Sequence, residues 1–196
     1  MNSLPNPQTV RYSVADYMTW PDEERWELID GVAYNMSPAP GIKHQNIAGA
    51  IYSMLYGKLR GKSCQPFIAP VDVVLSEHDV VQPDVIVVCG SEKITERNVQ
   101  GAPDWVAEVL SPSTARKDLR EKKALFERAG VREYVVFDPL ESYVQRFCLA
   151  ADGSFGAGEI FDPGESLPLG FMPGEFLPLW EVFGVPPAAT EELKEN

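Results

Sequence analysis

A chain of 196 residues, 44% hydrophobic and 23% charged, is long enough to bury one core of its own. It holds no apolar run of the roughly 18 residues that a bilayer crossing needs, and its start, Met1 to Gln8, is polar and Pro-rich, so the expectation is a cytoplasmic protein with no membrane partner. The formal charge of −12 argues against a uniformly basic nucleic-acid surface, yet residues 150–196 hold nine acidic residues and one basic, which leaves only −4 on residues 1–149.

In chain order, Ser13 reads as the N-cap of a short helix through Val14, Tyr17 and Met18 that Pro21 closes. Trp26 to Met36 sets an Asp30-Gly31 pair between two apolar runs, a hairpin signal, with Glu27 polar at the front of the first strand. Ile47, Ile51, Leu55 and Leu59 recur every four residues and predict an amphipathic helix ending near Gly61. Three segments rich in β-branched residues, Pro70 to Leu75, Val80 to Cys89 and Trp105 to Leu110, read as central strands. A second long helix is expected from Ser113 or Thr114 to Ala129, stopped by Gly130. Strands follow at Glu133 to Phe137 and Tyr143 to Leu149, then short edge strands in the Pro- and Gly-rich stretch to Pro178, and a last helical turn at Leu179 to Phe183. The pattern predicts one domain over 11–185, with flexible tails at 1–10 and 186–196, the second acidic. Cys64, Cys89 and Cys148 are odd in number and far apart, which indicates neither a disulfide framework nor a zinc site.

Two of the strands carry an acid that an apolar strand does not need. Asp84 opens the run Val85-Ile86-Val87-Val88, and Glu108 interrupts Trp105 to Leu110. Burying either charge alone is costly. One such acid could sit at an edge or pair with an Arg; two on consecutive strands offer the hard oxygen ligands that Mg²⁺ or Mn²⁺ takes. On the following helix, at about 100° per residue from Leu119, the apolar stripe centres near 310°. Lys122 falls near 300°, Asp118 near 260° and Lys123 near 40° on the same wheel, while Arg116, Lys117, Arg120, Glu121, Glu127 and Arg128 fall on the far side as solvated charges. An amine on the buried stripe either snorkels to the helix edge or meets carboxylates on the neighbouring strands. His44, at the start of the first long helix, could contact a phosphate, though a surface or packing role is the simpler reading. His78 lies in a turn, Ser111 to Thr114 caps a helix, and the four Trp read as core or interface.

Taken in order, Glu27-Leu28-Ile29-Asp30-Gly31, Gln82-Pro83-Asp84, Glu108 to Thr114, the Asp118…Lys122…Phe126 helix and Gly130 to Asp138-Pro139 resemble the Uma-two (Uma2) family of restriction-endonuclease-like proteins. The resemblance runs from about residue 12 to 183. It implies the α/β PD-(D/E)xK fold, a central mixed β-sheet flanked by α-helices, with Asp84 and Glu108 matching the two metal-binding acids. The usual lysine two residues after the second acid is replaced by Leu110; in this family the amine is thought to come from the next helix, where Lys122 matches. Glu27 matches an acid that joins the metal ligands directly or through water. The implied function is a Mg²⁺- or Mn²⁺-dependent endonuclease that hydrolyses DNA phosphodiester bonds with Glu27, Asp84, Glu108 and Lys122, working as a homodimer, as this fold often does. The alternative is a non-catalytic scaffold or binding module on the same fold, which the acidic surface favours. RNA or branched DNA as substrate is equally compatible with the residues.

Overall fold

Ser13 caps a single helical turn, α1 (Val14–Tyr17), through a capping box in which its side chain accepts from the Asp16 N–H and the Asp16 carboxylate takes the Ser13 N–H. The computed structural model describes residues 10–21, 24–36 and 39–187, so the tails expected at 1–10 and 186–196 lie almost wholly outside the described residues. After α1 the hairpin forms as predicted: β1 (Trp26–Ile29) pairs with β2 (Val32–Asn35) in the register Glu27↔Tyr34 and Ile29↔Val32. Its two-residue turn has positive φ at both positions, Asp30 at 53° and Gly31 at 73°, the conformation for which Asp-Gly is suited. Helix α2 (Ile42–Leu59) buries Ile47, Ile51, Leu55 and Leu59, the positions its spacing marked.

Six strands follow: β3 (Cys64–Ile68), β4 (Asp72–Ser76), β5 (Asp79–Val81), β6 (Val85–Cys89), β7 (Asn98–Gln100) and β8 (Trp105–Val109). The second long helix has three parts: α3 (Ala115–Lys117), a π turn over Asp118–Lys122, and α4 (Lys123–Ala129), ended by Gly130 at φ 82°. The chain finishes with β9 (Glu133–Asp138), β10 (Tyr143–Cys148), β11 (Glu159–Phe161), β12 (Ser166–Pro168), β13 (Phe176–Pro178) and α5 (Leu179–Phe183).

The strands sort into two main sheets. The larger has the order β11-β10-β9-β8-β6-β3 and is mixed, because β8 and β9 run parallel while their neighbours are antiparallel. One face packs on α2, α5 and the β12–β13 hairpin through Val85, Val87, Trp105, Ala107 and Val109. The other face, with Ile86, Val88, Val106 and Leu110, meets Leu125 and Phe126 of α4 and also Ile29, Val73 and Val81 of the smaller sheet, ordered β2-β1-β5-β4-β7. The central mixed sheet flanked by helices is therefore present. Each fully buried anchor such as Leu55, Ile86 or Phe126 contributes about 1.5–3 kcal/mol.

Three sequence expectations change. Val80 to Cys89 is not one strand: Gln82-Pro83-Asp84 breaks it, leaving β5 in the smaller sheet and β6 in the larger. The segment read at Pro70 to Leu75 is β4, which belongs to the smaller sheet and not to the centre of the larger. Cys64 and Cys89, directly opposed in the β3–β6 register, form a disulfide, while Cys148 is free and exposed. The odd cysteine count hid this pair, since only the strand register brings together residues separated by 25 positions. Among the described residues no helix is long and apolar enough to cross a membrane.

Candidate active site

The register of β6 on β8, Val87↔Trp105 to Val85↔Ala107, continues by one residue to set Asp84 opposite Glu108. Alternation along each strand puts both on the face that carries Ile86 and Val106, the face turned to the α3–α4 helix. Asp84 is anchored at once by backbone and side chain: its Oδ2 accepts from the Val109 N–H at 2.8 Å and lies 3.1 Å from His44 Nε2 at the start of α2. The His44 Nδ1 is buried and meets no geometric hydrogen-bond partner among the described residues. Burial pulls the imidazole toward neutrality, but Asp84 first, with Asp118 and the Val109 backbone, offsets it and leaves its pKa raised.

Lys122 enters from the helix. Its side chain is only 3% exposed, and its Nζ lies 2.7 Å from Glu108 Oε1, 2.8 Å from Glu27 Oε1 and 3.8 Å from Asp118 Oδ1. Glu27 comes from β1 of the smaller sheet, so one ammonium joins acids of both sheets. Both Glu27 oxygens are engaged: Oε1 also accepts the Gln82 N–H at 3.0 Å, and Oε2 lies 2.5 Å from Lys117 Nζ. Behind Gln82 its amide reaches Asp72 at 2.8 Å, and the Tyr17 hydroxyl, lifted to about 12 by burial and Asp72, donates to the same oxygen at 2.9 Å.

The π turn explains why two lysines meet here. The Lys123 N–H reaches back five residues to the Asp118 carbonyl, which also accepts the buried Tyr134 hydroxyl at 3.0 Å. In a straight α-helix, residues five apart point about 140° away from each other; a wider turn reduces that angle and aims Lys117 and Lys122 at the same acid. The α-helical wheel placed Lys117 among the solvated charges, and the structure corrects this. Lys123 stands outside the cluster, 4.4 Å over the Phe147 ring.

Acid outnumbers base in this buried space. Burial would strip the proton from Lys122, but Glu108, Glu27 and Asp118 hold it well above its ordinary value. Burial pushes Glu27 up, and Lys122 with Lys117 more than reverses this, leaving it below the usual carboxylate value. Glu108 goes the other way: burial lifts it, Lys122 pulls it back, and Asp118, Asp84 and Glu27 add to the lift, so it ends well above its ordinary value. Asp118 is raised as well, by burial first.

The structure thus brings Glu27, Asp84, Glu108 and Lys122 into one site and adds His44, Lys117 and Asp118. Among the described residues no three or more His, Cys, Asp and Glu side chains converge as a metal site. What the site offers a cation is a pair of carboxylates, Asp84 and Glu108, whose Oδ1 and Oε2 make no hydrogen bond or ion pair among the described residues. A cross-strand pair of hard oxygens in a space with surplus negative charge fits a divalent ion. Glu27, expected among the ligands directly or through water, has its oxygens engaged by Lys122, the Gln82 N–H and Lys117.

A family model described as "Putative restriction endonuclease" (Uma2) matches residues 14–179 of the chain. A solved structure described as "a putative nuclease belonging to DUF820 from Anabaena variabilis ATCC 29413" superposes with a TM-score of 0.73 at 21% identity, over 88% of this chain and 97% of that one. That likeness shows a shared fold. No curated protein matches the chain.

Proposed function

Because the chain belongs to the Uma2 family of restriction-endonuclease-like proteins, we propose that it is a metal-dependent nuclease that cleaves DNA at Asp84, Glu108 and Lys122. The observation that carries this reading is the Lys122 ammonium, sealed from solvent between Glu108 and Glu27 on the face that also bears Asp84. A scaffold has no structural need for an acid surplus around one buried amine.

Asp84 and Glu108 would hold Mg²⁺ or Mn²⁺, which when bound supplies Lewis-acid polarisation of the phosphate and acidifies the attacking water. The chain's own groups do the rest. His44 and the Val109 N–H fix the Asp84 carboxylate, so that its second oxygen faces the site without a search over rotamers. Lys122, held in its charged form by Glu108, Glu27 and Asp118, places a positive charge beside the carboxylate pair and so stabilises the phosphate oxygens on which charge builds as water adds and the ester bond breaks. Glu27 acts through Lys122: it holds the ammonium in place and is itself held by Lys117 and the Gln82 N–H. Water adds to phosphorus and the 3′-oxygen leaves, giving a 5′-phosphate end. We extend the reading to a homodimer built on exposed apolar residues of the C-terminal part, Ile160 at 67% and Phe176 at 47% exposed. Light scattering that returns 21.7 kDa at high concentration removes that part.

The test is calorimetric titration with Mn²⁺, paired with Mg²⁺-dependent cleavage of plasmid DNA. Saturable binding by the wild type, lost in Asp84→Ala, together with cleavage, is the expected result. The scaffold reading draws on the formal charge of −12, which repels a polyanion. Metal binding without cleavage of DNA or RNA decides for it, and no metal binding ends the nuclease reading.

A further inference from the structure

On β1, Trp26 and Glu27 point to opposite faces. Behind the active site, on the Trp26 side, the rings of Tyr12, Trp20 and Trp26 line a cavity of about 250 Å³ together with Pro21, Ala33 and Glu24. Trp20 is the centre of the group. Its ring meets Tyr12 at 5.1 Å and 86°, Trp26 at 5.8 Å and 74°, and Tyr17 at 5.6 Å and 59°. Rings set at such angles form walls, and Tyr12, Trp20 and Trp26 are all only partly buried, so aromatic surface is left for a ligand. Among the described residues no lysine or arginine lines the cavity. Among the described lining residues the one charged group is the Glu24 carboxylate, exposed at the rim and tied at Oε2 by the Trp26 Nε1–H at 2.9 Å, which leaves Oε1 free among the described residues.

We propose that this cavity binds a small alkylammonium cation. The faces of Trp and Tyr rings are the negative ends of their quadrupoles, and a methylated ammonium loses little hydration on entering an aromatic cage. Glu24 supplies the opposite charge, in a protein whose net charge of −12 already draws cations to it. A nucleobase also stacks on aromatic rings. Walls near a right angle cannot sandwich a flat base, however, and the Glu24 carboxylate would repel the phosphate attached to it. The site is separate from the acid cluster and does not depend on the nuclease reading.

The full chain is titrated with tetramethylammonium chloride at ionic strength held constant with NaCl, and binding is read from tryptophan fluorescence. Choline is then set against dimethylbutanol, its neutral carbon isostere. Saturable changes with both cations are expected, with the neutral alcohol at least about tenfold weaker, the scale of the charge–ring attraction in a partly desolvated cage. Glu24→Gln, which keeps an oxygen for the Trp26 Nε1–H at this exposed position, should weaken the cations about threefold or more and leave the alcohol unchanged. Equal binding of choline and the alcohol overturns the proposal, as does saturation by deoxyadenosine but not by the cations, or no saturable change at all.

Discussion

Two buried glutamates on the larger sheet have opposite surroundings. Glu133, at the start of β9 beside Trp105, has one oxygen 2.6 Å from Arg146 Nε and the other on the Gly170 N–H at 2.8 Å. Glu108, near the other end of β8 and on the other face, shares its one close cation with Glu27 and Asp118 and faces Asp84 across the strands. Burial raises both carboxyls. At Glu133 the Arg146 charge and the Gly170 N–H act against the rise, with only Glu159 adding to it; at Glu108 three further acids add to it. Charge that is matched atom for atom belongs to the structure, whereas charge left in surplus is kept for something that is to arrive.

The widest separation between the two regions should appear when each loses its cation. Arg146→Met strands a buried carboxylate and should lower the unfolding free energy by about 3–5 kcal/mol in urea melts, with DNA cleavage per folded molecule unchanged. Lys122→Met should do the reverse. Glu108 can take up a proton and Glu27 keeps Lys117, so the stability loss should be the smaller one, while cleavage falls about 10²-fold or more. Lys123→Met, which removes only the contact over Phe147, is the control and should leave cleavage within about twofold. If Lys122→Met and Lys123→Met behave alike, the helix-borne amine has no part in the chemistry.

The next effect is a pH dependence. Because the Glu108 carboxyl is raised in the folded protein, its contribution to stability is complete below its unfolded value and is lost as pH rises through the folded one. Glu108→Gln removes that loss. Its melting temperature relative to wild type should therefore climb as pH is raised from 4.5 to 8, while cleavage disappears. A flat difference across that range would mean that Glu108 carries no excess charge. The smallest effect expected is for Tyr134→Phe, which deletes the donor to the Asp118 carbonyl at the π turn. About 1 kcal/mol of stability should go, with a modest fall in cleavage as Lys117 and Lys122 lose their alignment.

The sequence made the acids legible for a plain reason: Asp84 opens a β-branched run and Glu108 interrupts an apolar one, positions where an uncompensated charge is costly. Lys122 was within reach of a helical wheel because it sits on the apolar stripe with Asp118, four residues apart. Lys117 was not, since a wheel assumes 3.6 residues per turn and no side chain announces a π turn. The role of His44 was hidden too, because its contact with Asp84 depends on where α2 begins relative to β6. Strand partners were the other blind spot. Periodicity cannot say which sheet a strand joins, so the break at Gln82-Pro83 went unread, and β3, with Pro66 inside it, was missed because Pro is tolerated only at a sheet edge, which is where β3 lies.

That break has a mechanical consequence. The backbone crosses from one sheet to the other within Gln82-Pro83-Asp84, so the residue whose N–H holds Glu27 and the residue that faces Glu108 are two positions apart. Glu27 travels with the first sheet and Glu108 with the second, and Lys122 spans the joint between them like a rivet through two plates. Any sliding of one plate on the other would shear the core they share, Ile29, Val73 and Val81 against Ile86, Val88 and Val106, and strain the rivet with it. The distance from Lys122 to its two acids is thus a gauge of how the two sheets are aligned on each other.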